Sequence, residues 1–589
     1  MLTDDRRWLW LTCGAVLLAM AGAAQGATRG ATRASAPVGP WPAEGSKGQG
    51  PSDGTFAVIG IPDTQNYSEF YPEIYRAQMQ WIADQKGARN IRFASHYGDI
   101  VNHGDRENEW ANARSAMRIL EQSGIPHGVT AGNHDITPSG TAGTSYIPQK
   151  YLENFGPQRY SGMDWYGGAS PSGMSNFQIF NGGGRQFLAF HLVCDAPVEE
   201  LAWAQGVIAK NRDKAVMVTT HRYLQDAEDY TGGVPVVASG RYPSVWYGVE
   251  GTYHPQGIQS DEIFDWFIRR NKNIFMVNCG HFHEEYRQTS ANAWGLPVHE
   301  VLADYQDDPN GGDGWLRIMN FDVARKRIDV ESYSPTRNEF RTADESRFSL
   351  GVDFDSYVRS GTSLTFQNGI NGYQGTLDTW INEGSAGTSY GAAQTFDVDD
   401  DTGNSIFNDR RGQALLRFEG MIGEAPEQIP AGAVITEATL RLQFSDDVDF
   451  LYDADFDVYM AGRDWNESST WNSLGNGLSG AELGLYLGRL EGDNNPDSDF
   501  MRMLDVRAAV QAWVNGAANF GFAILPEVIS GNDDGITVWS SEASNILFRP
   551  VLDVTYTLAG TTLAREVPGP GAGGLMMLAG LACVRRRRA

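Results

Sequence analysis

At 589 residues the chain is too long for a single hydrophobic core, so two folded domains with tails are expected. A composition of 41% hydrophobic and 20% charged residues is that of a globular protein, and 68 glycines point to many turns and long loops. The formal net charge of −27 excludes a protein that coats nucleic acid, and no stable nucleic-acid binding is expected. A nuclease stays compatible with that charge, because bound metal ions supply positive charge locally. Solubility outside the cell is the simplest account of the acidity.

Residues 1–26 read as a secretory signal peptide. Arg6 and Arg7 precede an apolar stretch from Trp8 to Ala24, and Ala24-Gln25-Gly26 resembles a small-residue cleavage site. Residues 27–54 are rich in Gly, Pro, Ala and Ser without periodicity and read as a disordered linker. Order begins with a buried-strand pattern at Thr55 to Ile61, then a helix over Tyr71 to Gln85 and a strand over Asn90 to His96. A helix over Glu107 to Gln122 and a strand over Pro126 to Thr130 follow. Further strands are expected at Phe187 to Val193, Ala215 to Thr220 and Ile274 to Asn278. An amphipathic helix is expected at Ser260 to Arg270, and paired strands between Gly314 and Ser332. This strand–helix alternation predicts a layered α/β domain over residues 55–347.

Past about Arg347 helical periodicity nearly vanishes. Short apolar runs recur between Gly, Asn and Asp turns: Ala414 to Phe418, Ala438 to Phe444, Phe456 to Met460, Phe520 to Leu525 and Leu552 to Tyr556. That pattern predicts an all-β sandwich over residues 352–558. Of four cysteines, Cys13 and Cys583 fall in the terminal segments. Cys194 and Cys279 could form one bridge or sit as small buried hydrophobes.

Five polar clusters each follow a predicted strand of the first domain. They are Asp63-Thr64-Gln65, Gly98-Asp99, Gly132-Asn133-His134-Asp135, Thr220-His221 and Gly280-His281-Phe282-His283. The carboxyl edge of the strands is where layered α/β folds build sites. Carboxylate, amide oxygen and imidazole together suit Fe, Mn, Zn or Ni. Two such ions about 3.5–4 Å apart activate water and clamp phosphate oxygens, with Asp99 the natural bridging carboxylate. Any one motif is weak alone, and each histidine is more often structural than a ligand. His96, His103, His127, His191, His254 and His299 are read as structural or undetermined. Arg222 is read as a surface salt bridge.

In this order the motifs resemble the calcineurin-like metallophosphoesterase superfamily, over Asp63 to His283. The resemblance implies a four-layer α/β/β/α sandwich with two metal ions. Asp63, Gln65 and His283 would hold the first ion, Asp99 would bridge, and Asn133, His221 and His281 would hold the second. It further implies hydrolysis of a phosphomonoester or phosphodiester by in-line attack of a metal-bound hydroxide, with His134 at the leaving-group oxygen as general acid or to stabilise developing charge; Asp135, next to His134 in sequence, is a candidate to assist it. Two departures stand out. Gln65 occupies a position that is usually His, and Asn102 replaces the Asp that in many relatives orients the catalytic His.

Residues 354–558 resemble DNRLRE-type β-sandwiches, which are related to carbohydrate-binding modules. The resemblance rests on Ala414 to Phe418, Ile435 to Leu440, Asp464-Trp465-Asn466-Glu467, Asn519 to Phe522 and Arg549 to Leu552. A polysaccharide or extracellular matrix is the implied partner. Among Trp380, Trp465, Trp471, Trp513 and Trp539, core packing is the expected role of most. The acidic runs Asp397 to Asp401 and Asp453 to Asp457 are candidate Ca²⁺ ligands, the second reading first as the wet face of a strand. In residues 559–589, Val567-Pro568-Gly569-Pro570, an apolar stretch and Arg585 to Arg588 resemble a PEP-CTERM sorting tail, although Val-Pro-Gly-Pro stands in place of Pro-Glu-Pro. Such tails are cut by a membrane sorting protease. A plain C-terminal anchor is the alternative. Together these features imply an exported, surface-associated bacterial phosphoesterase. A surface carbohydrate-binding protein with an inactive phosphoesterase domain is the second reading.

Overall fold

The computed structural model describes residues 54–226, 239–241, 252–399, 411–445, 452–453, 455–492, 500–527 and 534–558. The signal segment, most of the linker, the sorting tail, and Asp400 and Asp401 lie outside them. No described helix is long and apolar enough to cross a membrane.

Two sheets form the centre of the first domain. In one, Thr55–Ile61 runs parallel to Ile91–His96, which runs parallel to His127–Val129; its other edge pairs antiparallel with Leu316–Asp322. In the other, Arg185–His191, Ala215–Thr219, Ile274–Cys279 and Pro297–Asp304 run parallel in that order, flanked by antiparallel Asn176–Gly182 and Glu284–Ala291.

The period of two along each strand divides its side chains between layers. Phe56 and Val58 enter the space between the sheets, where Phe56 stacks on Phe321 at 4.6 Å and meets Phe187 of the second sheet at 5.4 Å. Ala57, Ile59 and Ile61 face the other way, into the core shared with Tyr75, Met79 and Ile82 of Pro72–Gln85 and with Trp110 and Met117 of Glu107–Gln122. Val198–Ala209 covers the second sheet through Leu201, Ala204 and Ile208. The result is the expected four-layer α/β/β/α sandwich.

Three expectations change. The helix at Ser260 keeps α geometry only to Ile263; Phe264–Ile268 widens to a π turn, with the Arg269 N–H donating to the Phe264 carbonyl at 2.7 Å. The segment Thr137 to Gly184, for which the sequence pattern predicts no element, supplies Tyr166–Ala169 and Asn176–Gly182 to the second sheet. The first domain also runs past residue 347. Arg347–Gly351 pairs with Arg327–Ser334, and Phe348, Leu350, Phe354 and Tyr357 fill the space between the sheets.

The second domain is all-β, as expected. Among the described residues, twelve strands from Thr362–Phe366 to Val551–Thr557 form one hydrogen-bonded array around Phe366, Leu416, Phe418, Leu440, Phe444, Phe522 and Val554. Trp513 lies in that core, and Trp465 and Trp471 lie in a second cluster with Leu415 and Ala523. Trp380 is partly buried against the first of these cores, and Trp539 against the first domain's core where Leu547 and Phe548 join it, so packing accounts for all five.

The domains meet through buried charge. Arg212 of the first pairs with Asp553 of the second at 2.5 Å, and Arg441 reaches the same carboxylate at 3.0 Å. Arg270 donates to the Leu547 carbonyl and to Gln443 Oε1. Cys194 and Cys279 are both buried and both free thiols.

Candidate metal centre

Each cluster sits where a parallel strand ends, and the backbone there takes conformations that a site must hold in place. Asp99 (φ 47°) and His281 (φ 74°) are left-handed, which is uncommon for residues with a Cβ. Their neighbours must be small. A Cβ on Gly280 would lie 2.0 Å from Asp63 Oδ1, and one on Gly132 would lie 2.1 Å from Asp99 Oδ1.

Four of the predicted ligands share one point. Asn133 Oδ1 is 2.8 Å from His221 Nε2 and 2.9 Å from His281 Nδ1. His221 Nε2 is in turn 3.2 Å from His281 Nδ1 and 3.2 Å from Asp99 Oδ1. His221 Nδ1 donates to the Tyr97 carbonyl at 3.0 Å, which orients the ring with Nε2 toward the cluster. Burial alone would lower the pKa of His221, but the Asp99 and Asp63 carboxylates outweigh it and push it up to about 10.

Asp63 joins through the His281 N–H, which donates to Oδ2 at 3.1 Å. Burial, then the Asp304 charge, raise the Asp63 carboxyl well above its ordinary range. Gln65 and His283 come together only through Gln306: Gln65 Nε2 donates to Gln306 Oε1, and the Gln306 amide meets His283 Nε2. His283 Nδ1 lies 2.5 Å from Asp307. Asp304 and Gln306 are site residues that the sequence reading passed over. Asp304 is fully buried at the end of Pro297–Asp304, and burial raises its carboxyl to about 6. The same rule, a polar residue closing an apolar strand, would have found it.

These residues fit metal ions. Asp63 Oδ1, Gln65 Oε1 and Asp304 Oδ2 are buried oxygens without a hydrogen-bond partner among the described residues. A buried oxygen left unpaired is costly, and a bound cation is one way to satisfy such oxygens. Asp99, His221 and His281 offer ligand atoms within 4.8 Å of one another.

His134 stands beside this cluster, with Nε2 4.0 Å from Asp99 Oδ2. Asp135, expected to assist it, does not face it. Its buried carboxylate accepts from the N–H groups of Ile100, Val101 and Gly132 at 2.8–3.2 Å, so it braces the turn beneath Asp99. Arg222 is also corrected. It is 1% exposed and pairs with buried Asp195 at 2.8 Å, so it is an internal ion pair and not a surface one.

Residues 57–285 match the calcineurin-like phosphoesterase family model. Residues 371–556 match carbohydrate-binding module family 96. An uncharacterized protein of Bacillus subtilis (strain 168), YvnB, is 30% identical over 321 residues; the match takes in 52% of this chain and 22% of that one. Solved structures similar to part of the chain include purple acid phosphatase PPD1 from yellow lupin (Lupinus luteus) seeds. It is 13% identical, with TM-score 0.32, over 52% of this chain and 55% of its own. TT1561 of Thermus thermophilus is 11% identical, with TM-score 0.25, over 49% of this chain and 99% of its own. GAP50, the anchor in the inner membrane complex of Plasmodium, is 9% identical, with TM-score 0.27, over 50% of this chain and 89% of its own.

Proposed function

We propose that the chain is an exported metal-dependent phosphoesterase that hydrolyses a phosphomonoester or phosphodiester. The observation that carries this reading is the convergence of Asp63, Asp99, Asn133, His221 and His281 from five strand ends, with three buried oxygens that lack partners among the described residues. Two metal ions bound there, of the Fe, Mn, Zn or Ni type, would activate a water molecule and neutralise charge spreading over the phosphoryl oxygens. Asp63, Gln65, Asp304 and His283 would face the first ion, Asn133, His221 and His281 the second, and Asp99 both. His134 holds Nδ1 to a backbone carbonyl and keeps Nε2 toward the cluster, placed to give a proton to the leaving oxygen.

We infer further that residues 371–556, matched to a carbohydrate-binding module, hold the enzyme on a polysaccharide or matrix. Their DNRLRE-like strand pattern agrees with that role. The signal-like segment at residues 1–26 and the PEP-CTERM-like tail at 559–589 support export to the bacterial surface, with a sorting protease acting at the tail.

The test is hydrolysis of p-nitrophenyl phosphate and bis-p-nitrophenyl phosphate with each metal in turn, with Asp99→Asn and His134→Ala beside the wild type. Metal-dependent turnover that is lost in Asp99→Asn, with His134→Ala costing far more on an alkyl phosphate than on these activated esters, supports the reading and shows which ester is preferred. No turnover with any metal, although metal is bound, would leave a surface binding protein.

A further inference from the structure

The departure at Asn102 raises a physical question, namely what holds His134 in place without the usual carboxylate. His134 Nδ1 lies 2.7 Å from the backbone carbonyl of Asn102, and a carbonyl only accepts, so Nδ1 carries the proton. The Asn102 side chain is engaged elsewhere, donating to Glu69 Oε2 at 2.5 Å. The catalytic ring is therefore oriented by a main-chain atom, and its aim depends on what fixes that peptide.

Two buried carboxylates fix it. The four N–H groups that follow Asp99 are bound in succession. Asp135 accepts from Ile100 and Val101, and Glu109 Oε2 accepts from Asn102 and His103, both at 2.9 Å. The Glu109 side chain is fully buried in the first turn of Glu107–Gln122. Its other oxygen meets His103 Nδ1 at 3.0 Å and Arg106 at 3.4 Å. Glu69, His103 and Glu109 also have the ligand types of a metal site. Arg106 already supplies their cation, bonding Glu69 at 3.0 Å, and both Glu109 oxygens are occupied. The cluster is therefore a brace.

We propose that Glu109 is a positioning residue for the phosphoesterase reaction: it holds the Asn102 peptide so that its carbonyl fixes the tautomer and direction of the His134 ring. The inference rests on the reading of His134 as general acid. In relatives with an Asp at the 102 position a side chain does this work directly. Here the charge sits one step further out and acts through the backbone. Glu109 touches neither substrate nor metal, and its loss acts only through His134.

The test uses the full chain and Glu109→Gln, which keeps the shape but removes the charge, with Glu109→Ala beside it. Two substrates are compared: a p-nitrophenyl ester, whose leaving group departs without protonation, and an alkyl ester, whose leaving group needs a proton. Glu109→Gln is expected to lower kcat on the alkyl ester about 10- to 100-fold, with much less effect on the p-nitrophenyl ester and KM held within about twofold. In a His134→Ala background, Glu109→Gln should cost nothing more. A second readout needs no activity. The ¹⁵N shifts of the His134 ring should show the Nδ1–H form in the wild type and a mixture of tautomers in Glu109→Ala. Equal losses on both esters, additive losses with His134→Ala, or an unchanged tautomer would each overturn the proposal. A wild type that hydrolyses neither ester would defeat the phosphoesterase reading, while the tautomer measurement would still decide the role of Glu109.

Discussion

Replacing Asp553 with Asn tests whether buried charge joins the two domains. The Asp553 side chain is 0% exposed and that of Arg212 is 3% exposed, so neither is stabilised by water. Burial alone would raise the Asp553 carboxyl, but the Arg212, Arg441 and Arg359 guanidiniums outweigh it and hold it well below the carboxylate range. Asp553→Asn keeps the hydrogen-bonding shape and leaves Arg212 and Arg441 buried without their counter-charge. Removing one partner of a buried pair costs about 3–5 kcal/mol, a large part of the ~5–15 kcal/mol that holds a folded protein together. For a domain of this size that corresponds to a melting point lower by about 10 °C. Differential scanning calorimetry of the wild type and Asp553→Asn measures it, with limited proteolysis reporting whether the segment around residues 352–361 becomes accessible. Combining Asp553→Leu with Arg212→Met and Arg441→Met should recover much of the loss, because both of those stranded charges are then gone. A drop under about 2 °C for Asp553→Asn, with the proteolysis pattern unchanged, would refute a charge-joined interface.

Three further outcomes rest on the same geometry. Gly280→Ala would place a Cβ 2.0 Å from Asp63 Oδ1, so metal content measured by mass spectrometry should fall while the far-ultraviolet circular dichroism is kept. Burial lowers His127 to about 4, and His96 and His191 each to about 3, so all three are neutral in the folded protein near pH 6.5. The unfolded chain takes up those protons first, near pH 6.5. Stability is therefore complete above that pH and declines as pH falls toward 4, by up to about 1.4 kcal/mol per pH unit for each histidine. Urea unfolding at pH 7 and pH 5 should show this, and a His127→Phe variant should flatten the slope. Finally, residues 352–558 fused to the first domain should retain the protein on an insoluble polysaccharide in a pull-down. The first domain's metal ligands should be dispensable for that retention, so Asp99→Asn should bind as well as wild type.

Long, strongly patterned elements were legible in the sequence because their period survives tertiary packing. Thr55–Ile61 and Glu107–Gln122 fall at the predicted bounds, the first as an unbroken apolar run, the second with its apolar stripe on one helical face. Asn176–Gly182 was missed because a flanking antiparallel strand with Gln178 and Asn181 has no continuous apolar signal. At the site, the motifs identified donors by residue type and by position after a strand. They could not show where a side chain turns. Asp135 follows His134 directly, yet the short helical turn Asn133–Ile136 sends the two side chains to different partners. Arg222 looked like a surface residue because Arg usually is, and only the fold reveals Asp195 buried against it. Asp304 and Gln306 stand 21 and more residues beyond His283, where no motif drew attention to them.

The most direct test of the central claim is a metal titration of the metal-free chain that follows bound ions and phosphoester hydrolysis together. Two ions are expected to bind per chain, with turnover reaching its maximum only at the second equivalent and with both lost in Asp99→Asn. Two ions bound with no hydrolysis of either p-nitrophenyl ester, or turnover that is unaffected by Asp99→Asn, would contradict it.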